Sequence, residues 1–145
     1  MIKIAIASDH RGFKLKNYLI DYLKNQGYDV IDFGTYSSES VDYPDYAALV
    51  AKAVADHSVD YGVAICGSGI GVNIAANRVK GVRAVNATSE KIAEMSRRHN
   101  NANVICFGGD YIEPEAAVKY LEIFLSVPFD GGERHQRRIQ KIDLI

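Results

Sequence analysis

Apolar positions along the chain follow two alternating spacings, and this alternation predicts an α/β architecture. Five short runs rich in β-branched residues, each bounded by polar or glycine-containing turns, predict strands. These runs cover residues 2–7, 28–33, 61–66, 82–86 and 103–107. Between them, apolar residues recur at i, i+3, i+4 and i+7, the period of one helix face. The helical stretches include Leu15 to Leu23, a helix over about 45–57 that starts near Pro44, Pro114 to Leu125, and 131–142.

Strict alternation of strands and helices predicts a parallel sheet with helices on both faces. The expected fold is a single-domain, three-layer αβα sandwich over residues 1–145, with a five-stranded parallel sheet of the flavodoxin or Rossmann-like kind. Such sheets bind ligands beyond the carboxyl ends of their strands, where the strand order reverses. We assume the order 2-1-3-4-5, which places this crevice between the first and third strands. Residues 8–12 and 66–71 would meet there.

The composition excludes several classes of protein. Apolar residues make up 48% of the 145 positions and charged residues 24%, the usual range for a soluble domain. A net charge of -1 and a pI near 6.4 predict no nucleic-acid partner and no membrane partner. The first residues lead directly into a strand, which leaves no room for a signal peptide. With two cysteines, Cys66 and Cys106, we expect reduced thiols and a cytoplasmic protein.

The segment "CGSGIG", residues 66–71, carries the first candidate chemistry. Its three glycines let the main chain approach a ligand closely, and N–H groups before a helix bind negative charge. The loop is not a dinucleotide fingerprint, which needs glycine where Val72 stands, and it lacks the Gly-Lys-Ser/Thr of a P-loop. A tight strand-to-helix turn and an inert buried Cys66 are the simpler interpretations. Together, the thiol and the glycines predict a thiolate base beside an oxyanion-binding nest, as proton abstraction next to a carbonyl requires.

Other polar residues follow the strands or share a helix face. Asp9 and His10 come directly after the first strand, either as a helix cap and a surface imidazole or as part of the site. Arg134 and Arg138 are four residues apart on one helix face, which is either solvated or suited to clamp a phosphate. His99 precedes the fifth strand, at the edge of the sheet opposite Cys66. We therefore expect no site that contains His99 and Cys66 of the same chain.

Several ordered segments resemble one family of enzymes over nearly the whole chain. They are "SDHRGFKLK", "GYDVIDFGTYSSESVDYPDYA", "CGSGIGVNIAANRVKGVRA", "SRRHNNANV" and "GGERHQRRI". In these motifs the chain resembles ribose-5-phosphate isomerase B, within a wider group that includes galactose-6-phosphate and allose-6-phosphate isomerases. The resemblance implies an aldose–ketose isomerase that converts ribose 5-phosphate to ribulose 5-phosphate through an enediolate, without a cofactor or a metal.

The resemblance also implies roles for individual residues. Cys66 is the base that moves a proton between the first two sugar carbons, while His99, helped by Asp9, opens the furanose ring. The substrate-binding set comprises the anion hole Gly67, Ser68, Gly69, Ile70 and Gly71, the sugar contacts Tyr43 and Asn100, the phosphate ligands His10, Arg134 and Arg138, and Asp9. Ser68 also hydrogen-bonds the reacting end of the sugar. The family's site is shared between two subunits, so His99 would serve the partner subunit's Cys66 in a homodimer or tetramer.

Three positions depart from the family's pattern. Many members have arginine where this chain has Asp110. In this chain Glu133 separates a glycine pair from Arg134. Arg11 replaces a small residue and can restore a positive charge. These departures leave the substrate open, with allose 6-phosphate, galactose 6-phosphate or a four-carbon sugar phosphate as alternatives. Two other hypotheses are a non-catalytic module that binds a phosphorylated ligand and a structural homo-oligomer with a degenerate site.

Overall fold

The computed structural model describes residues 1–145 and contains five strands and six helices. The strands are β1 (Lys3–Ser8), β2 (Asp29–Asp32), β3 (Tyr61–Cys66), β4 (Ala84–Asn86) and β5 (Val104–Gly108). The helices are α1 (Phe13–Asn25), α2 (Tyr43–Ala55), α3 (Ile70–Asn77), α4 (Glu90–Arg98), α5 (Pro114–Ser126) and α6 (Glu133–Asp143). Every predicted strand has a counterpart close to its expected bounds. No helix combines the length and the apolar character needed to cross a bilayer.

All strand pairs are parallel, and their order is β2-β1-β3-β5-β4. The predicted three-layer α/β fold with a five-stranded parallel sheet is confirmed. The assumed order 2-1-3-4-5 is wrong in its last two strands, because β5 lies between β3 and β4. All residues of β5 are buried, whereas the three residues of β4 are half-buried. The longer apolar strand therefore takes the interior position and the short strand takes the edge.

Two apolar clusters lie on opposite faces of the sheet. Alternate residues of a strand point to opposite faces, so Ile4 and Ile6 of β1 enter one cluster, and Ala5 and Ala7 enter the other. The first cluster contains buried residues of α1 and α5, and the second contains buried residues of α2 and α3. Because the chain leaves β1 on one face and enters β3 from the other, the space beyond the carboxyl ends of these strands stays open.

Lys16 of α1 is a charged residue with no exposed surface. Its Nζ donates to both carboxylate oxygens of Asp32, at 2.8 and 2.9 Å. Asp32 ends β2 and also accepts the N–H of Gly34 at 2.9 Å. A buried ammonium group is tolerated when it is paired and hydrogen-bonded, so this pair fixes α1 to the end of β2 and to the segment that leads to α2.

Substitution of Asp32 by alanine should destabilise the fold, because it leaves the Lys16 ammonium buried without its carboxylate. We expect the free energy of unfolding in urea to fall by about 3 kcal/mol. Asp29→Ala on the same strand is the matched control, since Asp29 lies outside this pair. The double variant Lys16→Met/Asp32→Ala should be more stable than Asp32→Ala alone. Equal stability of the Asp32→Ala and Asp29→Ala proteins would contradict this account.

Candidate active site

The carboxyl ends of β1 and β3 open into a cleft of about 650 Å³. Eight of the predicted site residues line it: Asp9, His10, Tyr43, Cys66, Gly67, Ser68, Ile70 and Gly71. The crevice lies where the sequence placed it, because β1 and β3 are neighbours in both the assumed and the observed strand order. The error in the order of the outer strands leaves the crevice in place, but the position of β5 next to β3 adds Asp110 and Tyr111 to its lining.

Cys66 is the last residue of β3, and its thiol lies at the floor of the cleft with 4% of the residue exposed. Its Sγ accepts the N–H of Gly69 at 3.2 Å. The sulfur therefore lies against the N-terminus of α3, beside the main-chain amides of the loop that follows β3. The other free cysteine, Cys106, lies in β5 with no exposed surface, and burial raises the pKa of its thiol to about 12. The two cysteines thus have different surroundings, one in a cleft and one sealed in the core.

The loop from Gly67 to Gly69 presents free main-chain donors to the cleft. Gly69 has a φ of 79°, a left-handed conformation that favours glycine. The N–H groups of Gly67, Ser68 and Gly71 make no hydrogen bond within the protein, while Ser68 Oγ accepts the N–H of Ile70 at 3.1 Å. Unpaired amides at the start of a helix bind anions. The loop can therefore hold an oxyanion next to the Cys66 thiol.

Asp9 and His10 lie in the turn between β1 and α1. Asp9 is 5% exposed, and its Oδ1 accepts the N–H groups of Arg11 at 2.9 Å and Gly12 at 3.1 Å. Asp9 therefore closes the turn into α1 and also lines the cleft, so the two interpretations of its role are compatible. His10 Nδ1 accepts the N–H of Val41 at 3.2 Å. In the neutral ring the proton is then on Nε2, which is free to donate to a ligand.

Tyr43 begins α2, lines the cleft and is 39% exposed. Its ring packs directly on Gly71, where a Cβ atom would collide with the ring carbons. The third glycine of the loop is thus explained by this close contact. The phenol can reach a ligand that sits on the amides of the loop, because both line the same cleft.

Gly69 contacts Cys66 Sγ without lining the cleft, and four further predicted site residues lie outside it: His99, Asn100, Arg134 and Arg138. His99 follows α4 and precedes β5, whose carboxyl end at Gly108 pairs with Cys66. The four residue steps of β5 alone span about 13 Å. The structure therefore separates these residues from the Cys66 of their own chain.

His99 belongs to a second cluster, with His135 and Asp130. The two imidazole rings stack with centroids 4.4 Å apart, and one nitrogen or oxygen atom from each of the three groups lies within 4.8 Å of the other two. Burial first, and then the neighbouring charge of His99, lower the pKa of His135. Arg134 and Arg138 add further positive charge and lower this pKa as well. Although these residue types can ligate a metal, the positive surroundings favour an anion over a cation.

Comparison with known proteins identifies the family. A sequence profile described as Ribose/Galactose Isomerase matches residues 4–142. The chain belongs to this family. It is 46% identical to ribose-5-phosphate isomerase B of Escherichia coli strain K12, over 100% of this chain and 97% of that protein.

Solved structures of the family have the same fold. The ribose 5-phosphate isomerase of Thermotoga maritima has a TM-score of 0.97 at 49% identity, and the comparison covers 99% of both chains. Ribose-5-phosphate isomerase B of Mycoplasma genitalium with bound ribulose-5-phosphate has a TM-score of 0.94 at 46% identity, over 99% of this chain and 95% of that chain. Membership confirms the predicted family, and with it the enzyme class, an aldose–ketose isomerase.

Some residues of the cleft were not predicted as site residues. They are Arg11, Val41, Asp42, Ile74, Asp110 and Tyr111. Arg11 and Asp110 come just after the carboxyl ends of β1 and β5, so their place at a strand end was a usable signal. Val41 and Asp42 lie in the segment before α2, where no periodic pattern marks a role.

A second cavity of about 500 Å³ lies at the amino edge of the sheet. Two arginines that line it are already hydrogen-bonded: Arg83 to Asp143 at 3.0 Å, and Arg97 to the carbonyl of Ala102 at 2.6 Å. Burial lowers the pKa of the Arg97 guanidinium. These contacts fasten α6 and the segment before β5 to the sheet, and the residues at the carboxyl edge remain the candidate site.

Iodoacetamide should modify Cys66 much faster than Cys106 in the folded protein at pH 8. Cys66 lines the cleft and accepts the N–H of Gly69, whereas Cys106 is buried and its pKa of about 12 keeps it protonated. Intact-mass measurements should show one adduct in the parent and in Cys106→Ala, and none in Cys66→Ala over the same time. Two adducts formed at similar rates would show that the two thiols do not differ in this way.

Proposed function

We propose that the chain interconverts ribose 5-phosphate and ribulose 5-phosphate, with Cys66 as the base. The observation that carries this proposal is the Cys66 thiol beside free amide N–H groups at the end of β3. The names of the E. coli and T. maritima relatives and the ribulose-5-phosphate in the M. genitalium structure support the choice of sugar. The two free cysteines fit a reducing compartment, and we place the reaction in the cytoplasm.

In the proposed reaction the Cys66 thiolate removes the proton from carbon 2 of the open-chain aldose. The electron pair of that C–H bond forms the double bond of an enediolate, and the carbonyl oxygen takes up the negative charge. The N–H groups of Gly67, Ser68 and Gly71 then stabilise this oxyanion. The hydroxyl proton on the oxygen of carbon 2 then passes to the oxygen of carbon 1, the thiol returns its proton to carbon 1, and the carbonyl group now on carbon 2 makes the product the ketose. The proton and electrons stay within enzyme and substrate, so the proposal needs no metal or redox cofactor.

The rest of the substrate would be held by polar residues from two chains. Asp9, His10 and Tyr43 line the cleft that contains Cys66. Asn100, His99 and the two arginines of α6, Arg134 and Arg138, lie outside it and would come from the partner subunit. In this arrangement His99 opens the furanose ring, His10 and the two arginines hold the phosphate, and Tyr43 and Asn100 contact the sugar.

The surface around the cleft supports a second copy as the partner. Ile70 and Ile74, one turn apart on α3, line the cleft and are 58% and 59% exposed. Two neighbouring isoleucines at a polar cleft are suited to burial against another protein surface. A two-fold axis repeats every contact reciprocally, so a homodimer would complete two identical sites. A tetramer would consist of two such pairs.

Deuterium incorporation tests both the reaction and the substrate. The protein is incubated in D2O with four-, five- and six-carbon sugar phosphates, including ribose 5-phosphate, allose 6-phosphate and galactose 6-phosphate. Deuterium should enter the carbon next to the carbonyl fastest with ribose 5-phosphate. Faster exchange with a six-carbon sugar would reassign the substrate, and binding without exchange for every sugar would replace the proposal with a non-catalytic binding module.

Replacement of the proposed base should abolish most of the turnover. We expect Cys66→Ala to lower kcat for ribose 5-phosphate by at least about a hundredfold, the usual scale for a general base, while the protein still folds and binds the sugar. Cys106→Ala is the matched control and should change kcat little, because Cys106 lies inside the core. Comparable losses in the two variants would rule out Cys66 as the base.

Mixing two inactive variants tests the shared site. Cys66→Ala and His99→Ala proteins are combined under conditions that allow subunits to exchange. Each heterodimer then contains one site with both residues intact and one site with neither, so its activity should approach half that of the parent dimer. Native mass spectrometry confirms the exchange. If exchange occurs and activity does not return, His99 does not act on the partner's cleft.

A further inference from the structure

Arg11 and Asp110 form an ion pair at the cleft that the proposed reaction does not use. Arg11 Nη1 donates to Asp110 Oδ2 at 2.8 Å, and both residues line the cleft together with His10 and Ser68. Arg11 lies in the turn after β1 and Asp110 in the turn after β5, so the pair joins two loops across the site. Without Arg11, the Asp110 carboxylate would repel any anionic ligand. Arg11 therefore determines whether an anion can bind at this pair.

The main chain fixes the position of both residues. The Arg11 N–H donates to Asp9 Oδ1 at 2.9 Å, and the Asp110 N–H donates to the Gly67 carbonyl at 3.0 Å. The side chains cross directly over Gly67, where an added Cβ would lie 2.7 Å from Arg11 Cδ and 2.8 Å from Asp110 Oδ2. The guanidinium is therefore held next to the first amide of the anion-binding loop.

The guanidinium retains free donors. The bond from Nη1 to Asp110 is the only hydrogen bond of the Arg11 side chain, so Nε and Nη2 have no partner within the protein. The Arg11 side chain is 61% exposed and that of Asp110 is 38% exposed. An ion pair this exposed is weak, because water screens both charges. A phosphate dianion carries more charge than a carboxylate and accepts two parallel N–H bonds from arginine, so it can displace Asp110.

On the basis of the proposed function, we propose that Arg11 is a further substrate-binding residue that contacts the phosphate of the sugar phosphate. Asp110 is the counter-ion that the phosphate displaces. Asp110 holds the guanidinium over the loop when the cleft is empty and competes with the phosphate when it is occupied. The pair therefore lowers affinity for phosphorylated ligands below what Arg11 alone would give, which favours release of the product.

Binding of inorganic phosphate and the KM for ribose 5-phosphate test this role. Calorimetry should show that Arg11→Ala weakens phosphate binding about tenfold or more, the effect of losing a charge-assisted hydrogen bond. Asp110→Asn should tighten binding about threefold, because the competing charge is gone while the side chain keeps its size. The double variant Arg11→Ala/Asp110→Asn should fall between the parent and Arg11→Ala. KM should follow the same rank order.

Lys91→Ala is the matched control, since Lys91 also forms an exposed ion pair, with Glu94, at a distance of 3.6 Å. It should leave phosphate binding and KM unchanged. Arg11→Lys should keep part of the affinity, because it retains the charge and loses the fork of donors. Thermal melting confirms that each variant is folded, and the N–H of residue 11 remains available to Asp9 in all of them.

The inference is overturned if Arg11→Ala and Lys91→Ala bind phosphate within twofold of each other, or if Asp110→Asn weakens binding. The proposed function fails separately, if the parent protein does not turn over ribose 5-phosphate. Phosphate binding by calorimetry still decides the role of Arg11 in that case, because it requires no catalysis.

Discussion

β1 and β3 lie side by side at the centre of the sheet, although the chain forms β2 between them. Their parallel pairing runs from Ile4 opposite Tyr61 to Ser8 opposite Ile65. The Asp9 N–H extends it by one more bond, to the Ile65 carbonyl at 3.1 Å. Asp9 and Cys66 thus leave the same edge of the sheet at a fixed spacing. Since no connection crosses this edge between the two strands, the cleft and its polar residues all derive their positions from this pairing.

The turns beyond β1, β3 and β5 pack against one another through main chain rather than side chains. A Cβ at Gly12 would lie 2.9 Å from the Ile65 carbonyl oxygen, and a Cβ at Gly109 would lie 2.8 Å from the Arg11 carbonyl oxygen. The Gly109 N–H donates to the Cys66 carbonyl at 2.8 Å. Because backbone contacts hold these turns together, their polar side chains are free to face the cleft. The same contacts keep the floor of the site rigid.

The local spacing of apolar and polar residues was sufficient to predict secondary-structure elements and the position of the cleft. It was insufficient to predict contacts between distant parts of the chain. The i, i+3, i+4 stripes predicted α1 and α5, and the position of Asp9 and Cys66 just at strand ends predicted the edge where they meet. β5 lies next to β3 because of the apolar surface that each strand buries in the folded sheet. The periodicity of the sequence shows where a strand lies, but it does not show which strand it pairs with. The Arg11–Asp110 pair joins residues 99 positions apart, and the His10–Val41 bond joins residues 31 apart.

Both edges of the sheet are formed by its shortest strands. β2 has four residues and β4 has three, whereas the interior strands have five or six. An open strand edge is a template on which a strand from another molecule can add, and a short edge exposes few main-chain groups for such pairing. Extension of the sheet from one copy into the next is therefore disfavoured. The helical surfaces are the parts of the molecule left for contact with another chain, and a contact made through them does not lengthen the sheet.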